Sequence, residues 1–409
     1  MTLAAAALPP AGGLDPWRTF VVAAVLLALI GLTLRGIASR RRLAVSAGKW
    51  GAAAVGWAAG PAGFGLIGDA ERVGVRSLGG ILLTWIGLIV GLQCTRALLT
   101  RVPGVLWKWA GLDLAFCGLV AAGATVGMLA LRLGGDLQPV NAAMAAAIVG
   151  ATALGWSAET RSLVLGTNRE QQALAALVRA GAGLLSIAAV VIFGLAASST
   201  DYDTTGYLRF DATAGLGVVA TALATAAAVA IGSWLLLERI ARRPGERLVV
   251  TLGSLAVLAG SAEWLHTTPI FTGFLAGAIL GNLRGASVRT LSERIHEAEP
   301  VLAVALFLLA GLLLGPVDAP LLAALATMLI VVRLFLKPEA AAWSDLGGGL
   351  SRPALRSIAR RPAPIAVAIA SAAVLLQDTQ LRKTLLAATL VVGATMFLLQ
   401  LVPRRKGSA

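Results

Sequence analysis

Charge is scarce in this 409-residue sequence. Only 13% of residues are Asp, Glu, Lys or Arg, about half the share found in soluble domains. Acid is scarcer than base, with 20 acidic residues against 34 basic ones. Two cysteines, Cys94 and Cys117, fall in or beside apolar runs, so neither a disulfide framework nor a thiolate metal site is expected. The two histidines, His266 and His296, sit at the margins of apolar runs, and no nucleophile–base pair is evident, so an enzyme is not expected and no cofactor is implied. The N-terminus has no basic segment before its first apolar run, which argues against a cleaved signal peptide. Long polar stretches are missing too, and no soluble domain is expected.

What is present is apolar. The chain is 58% hydrophobic, in runs of about 20 residues, the length that crosses a bilayer as helix. A membrane β-barrel would instead show segments of about 10 residues alternating polar and apolar. The expected fold class is therefore an all-α polytopic membrane protein. Its partner is the lipid bilayer, and nucleic acid is not expected despite a net charge of +14. Thirteen spans are predicted, roughly at 18–34, 46–67, 78–99, 107–131, 139–157, 172–197, 212–237, 247–264, 268–283, 300–315, 319–336, 362–377 and 383–402. The loops on one side carry about 25 Lys and Arg and those on the other about 7, which places the N-terminus outside and the C-terminus in the cytoplasm. A multi-pass protein of the inner (plasma) membrane is expected. Trp17, Trp107, Trp109, Trp264 and Trp343 fall near span ends and read as interface anchors.

The stretch 267–315 organises the rest. Gly273, Gly277 and Gly281, four apart, lie on one helix face and permit close backbone approach. A charged connector, 284–299, comes next, and then an apolar helix opening on Pro300 with Gly311 near its end. An earlier stretch echoes this one. Trp57-Ala58-Ala59-Gly60 matches Phe274-Leu275-Ala276-Gly277, and ILLTWIGLIVGL, with Gly91, matches VLAVALFLLAGL, with Gly311. The echo suggests two inverted repeats, about 46–197 and 247–402, joined by a linker span at 212–237, in one transmembrane domain covering 1–409.

Residues 262–315 resemble the second half of a monovalent cation/proton antiporter of the Kef type. The resemblance is carried by Glu263, the turn Thr267-Thr268-Pro269, the helix Gly273-Phe274-Leu275-Ala276-Gly277, then Glu299-Pro300, Phe307 and Gly311. It implies an antiporter fold, a homodimer, and exchange of a monovalent cation such as sodium or potassium against protons. In that family the sixth of thirteen spans carries an Asp-Asp or Asn-Asp pair. Here the sixth span contains no Asp, Asn or Glu, and Ala182 and Gly183 align where the pair belongs. The alternative is therefore a degenerate antiporter-fold protein without cation/proton exchange, acting as a membrane scaffold or sensor subunit, or carrying an anion.

The transport-pathway candidates are few. Asp113 is the one carboxylate clearly inside a span. It reads as a proton or cation carrier, or as half of a salt bridge to Lys108, Arg179 or Arg333. The surplus of basic candidates favours the salt bridge, with an arginine as the expected partner. Arg333 matches the basic residue the resemblance implies in the eleventh span, though snorkelling from a position four residues before Lys337 explains it equally well. Arg179 lies within the first third of the sixth span. Thr152 and Ser186 are hydroxyls near the expected helix breaks, where bonding to their own backbone is the simpler role.

Overall fold

A computed structural model describes residues 42–65, 69–96, 100, 102–133, 139–155, 169–202, 208–210, 212–239, 243–283, 285–344 and 364–401. The first predicted span, Trp17, the glycine- and proline-rich part of 345–363 and the basic C-terminus lie outside the described residues.

Twelve helices run through the described residues. They are α1 (Arg42–Ala59), α2 (Asp69–Gln93), α3 (Gly104–Asp113, continuing through Leu114–Leu119 and Val120–Leu133), α4 (Pro139–Leu154), α5 (Arg169–Ser198) and α6 (Ala212–Arg239). The second half holds α7 (Pro244–Trp264), α8 (Pro269–Asn282), α9 (Ala286–Leu312), α10 (Ala319–Val331, continuing through Val332–Leu336 and Lys337–Trp343), α11 (Pro364–Leu376) and α12 (Gln380–Leu401). Each falls on one of the predicted spans from the second to the thirteenth, because a run of about 20 apolar residues can satisfy its backbone in lipid only as helix. The all-α expectation needs one amendment. β1 (Thr200–Tyr202) and β2 (Leu208–Phe210) pair antiparallel, with Thr200 opposite Phe210, in the polar loop between α5 and α6.

Two boundaries differ from the sequence reading. The connector 284–299 is not a loop, since α9 begins at Ala286 and Pro300 lies inside it. Residues 286–299 contain neither glycine nor proline, so nothing there stops a helix, and Pro300 removes only one backbone bond. The eleventh span, expected to end at 336, continues through Lys337 and Pro338 to Trp343.

The closest packing is between glycines and backbone. On α1 and α9, a methyl added at Gly56 would strike Leu308 O, and one at Gly311 would strike Ala53 O. On α2 and α8, a methyl at Gly273 would strike Thr84 O, and one at Gly87 would strike Ile270 O. Gly277 repeats the pattern against Leu88 O. Gly91, the residue the sequence echo set beside Gly311, is packed as Gly311 is: a methyl there would strike Phe274 O and crowd Ala278 N, as one at Gly311 strikes Ala53 O and crowds Trp57 N. No side chain but hydrogen fits at these crossings.

Among the described residues, seven helices are long and apolar enough to cross a membrane. α4, α8 and α11 are shorter, with 16, 14 and 13 residues, or about 20–24 Å of helix against a hydrocarbon core of about 30 Å. α4 and α11 pack against each other within the main core, and α10 and α12 lie beside them.

Asp318 caps the N-terminus of α10 by accepting from the Leu321 N–H, and Arg132 Nε at the end of α3 donates to it at 3.0 Å. The Arg132 guanidinium, and then the Leu321 N–H, hold the Asp318 carboxyl below its usual value. A depressed carboxylate favours the folded state above the ordinary carboxylate range, and that contribution disappears as pH falls through the folded value. Asp318→Asn is expected to lower Tm slightly at neutral pH and not at all in strong acid. Melting curves of both proteins across pH check this.

Candidate functional site

α4 ends inside the molecule, so its last carbonyls have no water to meet. Lys337 supplies the donors. Its side chain is fully buried, and Nζ donates to Ala153 O at 2.7 Å, to Leu154 O at 3.1 Å and to Asp113 Oδ2 at 3.0 Å. An ammonium has three N–H groups, and three oxygens surround this one. Arg333, one turn earlier on α10 and also buried, donates from Nη2 to Gly155 O at 3.2 Å. Both cations thus sit at the negative end of the α4 dipole. α11 ends in a related way, with Arg382 Nη1 donating to Ala373 O at 3.0 Å and Arg76 Nη2 to Leu375 O.

The two partners of the ion pair flank irregular turns. Asp113 immediately precedes the π-helical segment Leu114–Leu119, and Lys337 immediately follows the π-helical segment Val332–Leu336. Each such segment widens its helix by one residue per turn and rotates the turns beyond it. α3 and α10 can therefore aim these side chains at each other while keeping their apolar faces toward the core.

Asp113 is thus in an ion pair, as the structural alternative proposed, but the partner described at 3.0 Å is Lys337 rather than one of the arginines. Arg333 is not snorkelling: it is 5% exposed and bonded to the α4 end. Thr152 and Ser186 bond their own helices, donating to Val149 O and Ala182 O. Arg179 lies on α5, and its side chain is outside the described part of the structure. Lys337 was the residue missed. A lysine followed by proline reads as a helix end, although its i+4 spacing from Arg333 places it on the same face.

The α5 positions at which the sequence resemblance led to an expected carboxylate pair are packed. Ala182 and Gly183 are buried, and a methyl at Gly183 would lie 3.1 Å from Gln93 Oε1. Beside them, the ring of Trp109 presses on Gly181, where no Cβ would fit. Trp109 is 1% exposed, so it is a core residue and not the interface anchor expected, whereas Trp264 is 80% exposed. Among the described residues, no group of His, Cys, Asp and Glu could hold a metal ion.

The comparisons agree with this architecture. No curated protein sequence matches the chain. Among solved structures, the sodium proton antiporter MjNhaP1 from Methanocaldococcus jannaschii at pH 8 superposes with a TM-score of 0.56 at 14% identity, covering 94% of this chain and 95% of that one. At that identity the likeness establishes the fold. The profile of the family described as "Sodium/hydrogen exchanger, transmembrane" matches residues 21–403, and over that length this multi-pass membrane chain belongs to the sodium/hydrogen exchanger family.

Proposed function

We propose that the chain is a secondary transporter exchanging a monovalent cation, sodium or potassium, for protons, with Asp113 as the exchangeable carboxylate in place of those absent from α5. The observation that carries this is the buried Asp113–Lys337 pair at the end of α4. A carboxylate there must be neutralised in any state that persists away from water. Lys337 does so in the structure described. A cation or a proton reaching Asp113 would do the same and release the ammonium, so the two substrates compete for one oxygen pair. The proposal includes the Kef-type branch, a homodimer and the plasma membrane. It also includes two inverted repeats, a reading supported by the reciprocal contacts of Gly56 and Gly311 with those of Gly273 and Gly87.

A second reading, a scaffold or sensor subunit without exchange, is favoured by one observation: Ala182 and Gly183, where the resemblance implies a carboxylate pair, are small residues in a packed core beside Trp109.

Proteoliposomes holding a pH-sensitive dye decide between the two. With sodium, potassium or lithium gradients imposed in turn, the wild type is expected to drive proton flux with at least one cation. Asp113→Asn, reconstituted at low temperature and monodisperse, is expected to drive none. Absence of flux with every cation would leave the second reading standing.

A further inference from the structure

Two buried hydroxyls break a rule that the others obey. Among the described residues, the other buried serines and threonines donate to a carbonyl of their own helix, as Thr84 does to Gly80 O and Thr384 to Gln380 O, or meet a second hydroxyl, as Thr267 meets Ser198 at 3.1 Å. Ser371 and Thr268 do neither. Both are fully buried, and neither Ser371 Oγ nor Thr268 Oγ1 has a partner among the described residues. Ser371 lies inside α11, with Val367 O one turn back as the usual acceptor. Thr268 is the N-cap of α8, where a threonine oxygen ordinarily accepts from the first turn, and it makes no such bond. Each hydroxyl has a local bond to hand and leaves it unused. A buried hydroxyl without a bond is costly, so both point to a partner of another kind.

α2 brings the two sites together. A methyl at Gly79 would meet Leu375 Cδ1 at 3.0 Å, and one at Gly80 would meet Pro269 Cγ at 3.8 Å. Leu375 is four residues from Ser371 on the same face of α11, and Pro269 follows Thr268. α8 and α11 also touch each other directly. This region reaches the surface. Arg76, exposed on α2, donates to Leu375 O. The Gln377 amide oxygen is a third buried polar atom without a partner among the described residues, and Asp378, the next residue, is exposed. Six residues separate Gln377 from Ser371, about 9 Å of helical rise. In the other direction, Val367 lies one turn beyond Ser371 and lines a cavity of about 20 Å³ shared with Thr152 on α4. A cavity of roughly 10–15 Å³ already holds one water. Hydroxyls donate and accept, and an amide oxygen accepts, a combination that suits water.

We propose that this end of α8 and α11 is a water inlet: water enters beside Arg76 and Gln377 and binds the hydroxyls of Thr268 and Ser371. The inlet runs along α11 toward the small cavity at Thr152, the neighbour of Ala153, whose carbonyl holds Lys337. Water binding does not depend on the exchange reading. Its use does rest on that reading: in an exchanger, the inlet carries protons between the surface at Asp378 and the α4 end.

The test is thiol accessibility in the full chain held in nanodiscs. Ser371→Cys, Thr268→Cys and Ala372→Cys are each treated with aminoethyl methanethiosulfonate, a small water-soluble reagent, and the modified peptides are followed by mass spectrometry. Ala372 is as buried as Ser371 but points to another face of α11. Because such reagents need a solvated thiolate, the cysteines at 371 and 268 are expected to react roughly tenfold faster than the one at 372. Ser371→Ala supplies a second measurement. Where water satisfies the hydroxyl, the alanine gains no Tm. A dry, unbonded hydroxyl predicts the opposite sign, because alanine removes a cost. In proteoliposomes the same variant is expected to slow proton flux by roughly tenfold or more. Labelling at 371 no faster than at 372, a rise in Tm for Ser371→Ala, or unchanged flux in that variant of an exchanging protein would overturn the proposal. A wild type without flux would sink the exchange reading instead, and the labelling would still decide the inlet.

Discussion

Asp113→Asn is expected to cost the folded protein about 3–5 kcal/mol, the usual penalty for removing one partner of a buried ion pair. The asparagine keeps an oxygen for Lys337, so the loss is electrostatic and not a lost contact. The ammonium remains fully buried, tied to Ala153 O and Leu154 O, with its countercharge gone. Lys337→Met is expected to cost at least as much, because it strips donors from two carbonyls at the α4 end as well as leaving the carboxylate behind. The double variant Asp113→Asn with Lys337→Met should lose clearly less than the sum of the two, since it removes both charges of the pair together. Reversible unfolding of the four proteins in one detergent gives the coupling directly. A wild-type-like Asp113→Asn would show that the pair contributes nothing to folding.

Gly277→Val is expected to be comparably damaging, for a steric reason. A side chain there would run into Leu88 O and lie 3.0 Å from Gly91 Cα. These are backbone atoms of a buried helix and cannot swing aside. Overpacking typically costs about 1–3 kcal/mol, and forcing two helix axes apart belongs at or above the top of that range. The control is Gly253→Val on α7, where an added side chain would meet nothing and the change should stay within about 0.5 kcal/mol. Expression yield and Tm of the two variants, measured side by side, test whether the α2–α8 contact holds the halves together. Equal behaviour would mean the helices have room to part.

Both results concern features that were unequally legible in the sequence. The helices were legible because lipid permits few alternatives, so length and apolarity almost suffice to place them. The glycine face of α8 was legible from its four-residue spacing, although the spacing does not say which helix it meets. Lys337 was not legible, because burial of a lysine depends on oxygens contributed by α3 and α4, more than 180 residues away in sequence. Trp109 was misplaced for a similar reason: its position near a span end suits the membrane interface, and only the absence of a side chain at Gly181 makes room for it inside. The helical character of 286–299 was available in principle. The charges there drew attention from the more telling fact that no residue in the segment breaks a helix.

The reciprocal glycine contacts also impose an order on biosynthesis. The α1 face that carries Gly56 meets Leu308, and the α2 face that carries Gly87 meets Ile270. When α1 and α2 leave the ribosome, neither partner has been made. At synthesis rates of about 5–20 residues per second, roughly 10–50 seconds separate an N-terminal helix from the one it will lock against. During that interval their glycine faces stand open in the bilayer, covered by lipid or by the insertion machinery. A ribosome stalled before α8 would leave an inserted half that cannot close on itself, and membrane quality control would meet it in that state.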